Sequence, residues 1–269
     1  MLRLSRPAKI ALAVVVAVVL LFLYAPLGLV VLNSFNGARV AGWPIDDWSL
    51  RWWGAAFGND GVRAALGTSL VTAAGATAVA MVLGTLAAFA LQRHEFFGRS
   101  SVNLMLVLPI ALPGIVTGVA LSNTYKNVLE PIGIQLGFFG LVVAHATFCI
   151  VMVFNNVQAR LGRISPSLEE ASADLGAGLG QTFRLVTFPA FRTAFVAGAL
   201  LAFALSFDEI VVTIFTAPPG VETLPIWMYN NMARPTQASI LNVVATVVIA
   251  FSMIPVYLSQ RLARSIHLR

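Results

Sequence analysis

The sequence predicts an all-α polytopic membrane protein with about six transmembrane helices. Three observations carry that expectation. Of 269 residues, 58% are hydrophobic and only 10% are charged, against roughly 25% charged in an ordinary soluble domain. That is too little charge to give a soluble fold of this size a polar shell. The mean hydropathy is +0.86. Several apolar stretches also reach the roughly 20 residues needed to cross the hydrocarbon core.

Six spans are placed at roughly 10–32, 66–91, 102–124, 139–159, 190–216 and 239–260. Arg3, Arg6 and Lys9 precede the first apolar stretch. That stretch, Ile10 to Leu32, is too long for the apolar core of a secretory signal and reads as an uncleaved first span. The polar segment 33–65 carries Trp43, Trp48, Trp52 and Trp53 with Asp46, Asp47 and Arg51. Tryptophan favours the headgroup level, so the segment is expected along the outer interface, with a short amphipathic helix near 49–58. In the third run, Pro109 and Pro113 of LPIALPG predict either a broken span facing a cavity or a simple kink. Ala76, Ala80, Gly84 and Ala88 form a stripe at steps of four in the second span. Ala190, Ala194, Gly198, Ala202 and Ser206 do the same in the fifth. Such stripes let helices approach closely in lipid, where apolar side chains gain nothing by leaving an apolar solvent.

Charge asymmetry orients the chain. With the N-terminus inside, Arg3, Arg6, Lys9, Arg93, Arg99, Arg160, Arg163, Arg184, Arg192, Arg261, Arg264 and Arg269 fall on the cytoplasmic side. Only Arg39, Arg51, Arg63, Lys126 and Arg234 of the 17 basic residues fall outside. The split satisfies the positive-inside rule and places both termini in the cytoplasm. It also accounts for the net charge of +6 without nucleic acid as a partner. The single cysteine, Cys149, excludes an intrachain disulfide and any cysteine-based metal cluster. His145 and Cys149, four apart in the fourth span, cannot complete a metal site alone and read as packing. No Ser–His–Asp set and no H-E-x-x-H stands out, so no catalytic residue is expected.

The segment 160–189, RLGRISPSLEEASADLGAGLGQTFRLVTFP, is the longest cytoplasmic connection. Ser167 with Glu170 three residues on reads as a capping box. Leu168, Ala171, Ala173 and Leu175 give a short helix its apolar spacing. Gly176 ends that helix, where a left-handed residue costs least as glycine. A second short helix is expected near 179–186, and Pro189 suits the first turn of the fifth span. So structured a loop on a chain with little other cytoplasmic mass suggests a docking site for a soluble partner.

This loop resembles that of bacterial ABC importer permeases, which carry E-A-A, three residues, G, nine residues, I, one residue and L-P. Here Glu170-Ala171-Ser172 is followed by Gly176, Val186, Phe188 and Pro189 at the same spacing. The resemblance implies a MetI-like type I importer permease fold in the bacterial cytoplasmic (inner) membrane. It divides the chain into a first helix and outer segment over 1–65, a permease core over 66–262 and a cytoplasmic tail over 263–269. It also implies that Glu169, Glu170, Ala171, Ser172, Asp174, Gly176 and Pro189 couple the chain to an ATPase dimer. The chain has no G-x4-GK[ST] phosphate loop. No cofactor is therefore expected here, and ATP with Mg belongs to the partner. A second permease, in a heterodimer, and an extracytoplasmic binding protein are the other implied partners.

A finer resemblance covers most of the chain. LYAPLGLVVLNSFN (23–36), AHATFC (144–149), LLAFALSFDEIVVTIF (200–215) and ETLPIWMY (222–229) are similar to the spermidine/putrescine permease group, above all to its second permease subunit. Pro218-Pro219-Gly220 stands where that group usually has glycine-proline-glycine. The cargo implied is a polyamine. Another small cation, or an aminophosphonate-type solute, is the alternative within the same machinery. An ATP-independent secondary transporter is the alternative of another class, and it would not need the ordered loop.

Asp208 and Glu209 lie within the fifth apolar run. Inserting a carboxylate at the centre of a span costs about 2.5–3.5 kcal/mol. A polyamine needs carboxylates to replace its lost water and aromatic faces for cation–π contact. Asp208 and Glu209 are therefore the candidates to line a cation path, with Phe207 and Thr213 beside them. In the alternative reading, either acid pairs with a basic residue of the other permease or caps a broken helix.

Overall fold

The computed structural model describes residues 5–38, 44–135 and 137–264. Arg3, Arg39, Trp43 and positions 265–269 of the tail lie outside the described residues. The architecture is all-helical. A single antiparallel bridge, Asn36 to Trp48, is the one β pairing among the described residues. Among the described residues, five helices are long and apolar enough to cross a bilayer. A bent pair supplies a sixth if it counts as one span.

The chain divides into two compact units, Met1–Arg63 with Met228–Ala250, and Ala64–Trp227 with Phe251–Arg269. The first contains α1 (Arg6–Asn33) and α2 (Arg51–Gly58). α1 has Pro7 in its first turn, where a missing N–H costs nothing, and Ser5 caps it by accepting from the Ala8 N–H. Its apolar residues face outward all round, as lipid permits. The segment after α1 is not slack. Gly37 N–H donates to the Asp47 carbonyl at 2.7 Å and Ser49 N–H to the Phe35 carbonyl at 2.8 Å. The Trp53 indole N–H donates to the Ser34 carbonyl at 3.1 Å, and the Arg51 guanidinium donates to the Gly37 carbonyl. α2 is the short helix expected near 49–58.

The second unit is built on α6 (Gly137–Leu161), which lies between α3 (Asp60–Arg93) and α9 (Phe188–Phe207). Both small-residue stripes face it. Ala76, Ala80, Gly84 and Ala88 are all buried on α3, as are Gly198, Ala202 and Ser206 on α9. A Cβ on Gly84 would stand 2.8 Å from the Ile150 carbonyl oxygen and 3.1 Å from the Phe154 nitrogen. A Cβ on Gly198 would stand 3.2 Å from the Val153 Cα. Backbone therefore lies on backbone at both contacts, the close packing that substitutes for hydrophobic drive in lipid. Between these contacts Phe154, Val153, Val157 and Phe191 fill the core. Polar ties fix the register. The Arg160 Nε–H donates to the Ala190 carbonyl at 2.9 Å. Gln158 donates to Asn103 on α4 (Arg99–Ala111) at 3.3 Å.

Two spans are interrupted. The third is broken rather than simply kinked: α4 ends at Ala111, α5 (Gly114–Thr124) begins after Pro113, and the pair bends by 106°. Leu112 is extended (φ −81°, ψ 144°), the conformation imposed on a residue before proline. Pro113 in turn has no N–H to continue the ladder.

The fifth span, expected at 190–216, is longer at its N-terminal end and shorter at the other. One helix runs from Leu179 to Phe207. It comprises α8 (Leu179–Thr182), a π-turn over Phe183–Thr187 and α9. Pro189 stands in the first turn of α9, as expected, but α9 continues directly from the π-turn. The π-turn, in which the Phe188 N–H donates to the Phe183 carbonyl, accommodates the bond that proline cannot make. The span stops at Phe207. α10 (Val211–Thr216) follows as a separate piece.

Candidate functional site

The two breaks lie side by side. A Cβ on Gly114 would meet Val211 at 3.3 Å, and a Cβ on Gly118 would meet Phe215 at 2.7 Å. Gly114 and Gly118 are spaced as G-x-x-x-G, so α5 and α10 pair through the small-residue geometry of lipid-embedded helices. The sequence signal was present at 114–118, but its partner on α10 is about a hundred residues away. Each break leaves the carbonyl end of a helix, α4 or α9, and such ends carry partial negative charge.

The acidic pair sits at the second break. Asp208 is the C-terminal cap residue of α9 (φ −93°, ψ 2°). Its carboxylate is exposed and accepts no hydrogen bond or ion pair from the described residues. Glu209 acts locally, since its Oε1 accepts from the Val212 N–H at 2.8 Å and so caps α10. The chain leaves the helix here because two adjacent acids gain more from solvating themselves and capping than from continuing an apolar helix.

Phe207 and Thr213 are placed differently. Phe207 is buried, stacked on Phe203 with centroids 6.2 Å apart and tilted against Phe251 at 5.5 Å. Thr213 is fully buried. Its hydroxyl donates to the Glu209 carbonyl at 2.9 Å, so it is not free for a ligand in this conformation.

His145 on α6 joins this region. It is fully buried, with Nδ1 2.8 Å from Ser206 Oγ and Nε2 2.9 Å from Thr213 Oγ1. The Thr213 hydroxyl proton is already committed to Glu209, so Nε2–H must be the donor to Thr213. Nδ1 lies within hydrogen-bond distance of the Ser206 hydroxyl. Cys149, one turn along, donates to the Ala202 carbonyl at 3.3 Å. Both residues therefore hold α6 to the fifth span, and the packing expected of them is directional. Among the described residues no three His, Cys, Asp or Glu side chains are grouped to hold a metal.

The loop between α6 and α9 forms the other part of the candidate site. α7 (Ser167–Asp174) is the first short helix. The capping box expected from Ser167 and Glu170 is absent, because the helix starts one residue earlier than that motif requires. Pro166 is the N-cap without a side-chain bond, and Ser165 Oγ instead accepts from the Ser167 N–H at 3.3 Å. Gly176 ends α7 with φ +82°, and the Ala177 N–H closes back on the Ser172 carbonyl at 3.1 Å. The Gln181 amide oxygen accepts from the Gly178 N–H at 3.1 Å to begin α8.

Glu169 ties the loop to two helices. Its Oε1 accepts from Arg93 Nη2 at 2.9 Å, at the end of α3, and from the Thr187 hydroxyl at 2.9 Å in the π-turn. Ser172 and Thr182 hydroxyls meet at 3.0 Å between α7 and α8. The sequence offers no signal for Arg93 as the partner, since 76 residues separate it from Glu169. Glu170, Ala171, Asp174 and Gly176 are exposed. Replacing Glu169 with alanine leaves the half-buried Arg93 unpaired. The expected cost is about 1–3 kcal/mol, read as a lower melting temperature and faster proteolysis at the loop in detergent, while Glu170→Ala leaves both unchanged.

Paired broken spans, with a buttressed helix–turn–helix at the far end of the helix Leu179–Phe207, fit an importer permease, the membrane component of an ATP-driven uptake system. Comparison with known proteins agrees. Residues 80–267 match the family of binding-protein-dependent transport system inner membrane components, and the chain belongs to that family. It is a multi-pass ABC importer permease of the inner membrane and not itself the ATPase. It is 35% identical over 232 residues to the Escherichia coli K12 putrescine transport system permease protein PotI, covering 85% of this chain and 82% of that protein. It is 33% identical over 244 residues to the E. coli K12 spermidine/putrescine transport system permease protein PotC, covering 90% of each. A crystal structure of a bacterial ABC transporter involved in the import of the acidic polysaccharide alginate shares the fold, with a TM-score of 0.67, 17% identity and coverage of 98% of this chain and 99% of that one.

Proposed function

We propose that this permease imports polyamines such as putrescine and spermidine, with Asp208 and Glu209 lining the cation path. The observation that carries the reading is the Asp208 carboxylate. It stands at the break of the fifth span with no partner among the described residues, despite the cost of holding an acid at membrane depth. A chain of ammonium groups suits this arrangement, and an anionic cargo does not. The names of the relatives, putrescine and spermidine/putrescine permeases, support the same cargo. Phe207 and Thr213 frame the acidic turn from behind.

The proposed assembly is a heterodimer with a second permease on two ATPase copies, fed by an extracytoplasmic binding protein. Both termini are cytoplasmic, as the basic residues require. Glu169, Glu170, Ala171, Ser172, Asp174, Gly176 and Pro189 form the coupling loop. Its ATPase-facing surface consists of the exposed Glu170, Asp174, Leu175 and Leu179.

The test is uptake of labelled putrescine by the reconstituted complex. Asp208→Asn removes one charge-assisted contact worth about 1.5–3 kcal/mol, so uptake at low concentration falls about 10- to 100-fold while ATP hydrolysis persists. Glu209→Gln retains an oxygen to cap α10 and shows the smaller loss. Normal uptake by both variants would remove the acidic turn from the path.

A further inference from the structure

The acidic turn hangs between two helices that have little of their own to hold them in line. Past Phe207 the helical ladder of α9 gives out: Asp208 N–H still reaches the Ala204 carbonyl at 3.2 Å, and Glu209 N–H reaches the Ser206 carbonyl only at 3.5 Å. α10 has six residues, too few to keep a direction without tertiary support. Yet a continuous set of hydrogen bonds crosses the break. It runs from Ser206 in the last turn of α9 to His145 Nδ1, from His145 Nε2 to Thr213 on α10, and from Thr213 to the Glu209 carbonyl.

We propose that His145 is a positioning residue that latches α10 to α9, so that the Asp208–Glu209 turn moves as one piece with the fifth span. An apolar side chain of similar size would fill this site in α6, so packing alone does not call for an imidazole. Histidine is fully buried there with both ring nitrogens used. A buried polar group among apolar neighbours keeps its partners because losing them leaves it unsatisfied. The latch is therefore strong in direction as well as contact. It also explains Thr213, whose hydroxyl carries the link onward to the backbone of Glu209. The inference deepens the path reading above and rests on it for its effect on cargo.

The experiment uses the full complex with its binding protein and ATPase in proteoliposomes. His145→Leu, Thr213→Val and the double variant are compared by putrescine uptake and by ATP hydrolysis. Each single variant is expected to raise KM about tenfold with ATP hydrolysis retained, and the double variant to be no worse, since one continuous link is broken once. His145→Gln, which can still donate and accept, recovers at least part of the loss. Additive losses, a leucine variant with wild-type KM, or a glutamine variant no better than leucine each overturn the latch.

A second measurement does not depend on cargo. Spin labels at the exposed Phe139 on α6 and Ile214 on α10 report their separation during ATP turnover. The latch requires a single narrow distance distribution in the parent and a broadened one in His145→Leu. Equal widths overturn it even if the parent imports no polyamine, which would refute the cargo reading separately.

Discussion

Leucine at position 84 is expected to abolish assembly of the permease. The Cβ of any residue there would press within 2.8 Å of the Ile150 carbonyl oxygen and 3.1 Å of the Phe154 nitrogen. Both are backbone atoms in the middle of α6, so nothing flexible can give way. Overpacking of a close contact usually costs about 1–3 kcal/mol, and more where backbone must move. Here α3 would have to leave α6, and every buried residue of the stripe, from Ala76 to Ala88, would lose its contact with it. In a membrane no hydrophobic effect restores that contact. Size-exclusion chromatography of the fluorescently tagged complex should show the assembled peak falling more than about tenfold. Gly84→Ala should show a smaller loss. Gly67→Leu, at a site on the same helix with nothing within 4 Å, should elute as the parent does. A normal assembled peak for the leucine variant at position 84 would contradict the α3–α6 contact.

The second large effect belongs to the proposed coupling loop. Leu175 and Leu179 are 90% and 93% exposed, one at the end of α7 and the other at the start of α8. Two leucines so displayed have no role in the chain's own packing. Burying each against a partner is worth about 1.5–3 kcal/mol. The pair Leu175→Asp with Leu179→Asp should therefore weaken ATPase binding by about 3–6 kcal/mol, roughly a hundredfold or more. Co-purification of the ATPase with the tagged permease measures this, and thermal unfolding of the permease alone should not change. A lower melting temperature would mean that the leucines serve the fold. An ATPase retained at parental level would place the docking surface elsewhere.

Local physics made much of this molecule legible in the sequence. Apolar runs set the spans, and four-residue stripes of Ala and Gly marked the faces that meet α6. Gly176 ended a helix where only a left-handed residue fits, and α2 formed where tryptophans and charges alternate. What escaped the sequence was non-local. Hydropathy averaged over the fifth span passes across Asp208 and Glu209, so the run looks continuous. Only the capping bond from Val212 to Glu209 reveals why it stops. The G-x-x-x-G at 114–118 was visible as letters, but its partner Phe215 was not. The His145 links to Ser206 and Thr213 span 61 and 68 residues, and no pattern in α6 alone specifies them. The misplaced capping box is the reverse case. A good local motif at Ser167 lost to the turn that Ser165 and Pro166 make just before it.

The unbroken helix from Leu179 to Phe207 has a mechanical consequence. It meets α6 backbone to backbone at Gly198, and a pivot at that contact would make the glycine a fulcrum. At 1.5 Å per residue, the arm toward Leu179 is about 29 Å and the arm toward Asp208 about 15 Å. A rigid rod pivoting there swings its ends in opposite directions, and the shorter arm sweeps about half as far. A push on the loop from the ATPase side would thus arrive at the acidic turn reversed and halved. Such a lever would trade travel for force, and the π-turn at Phe183–Thr187, on the long arm, is where compliance would waste the stroke.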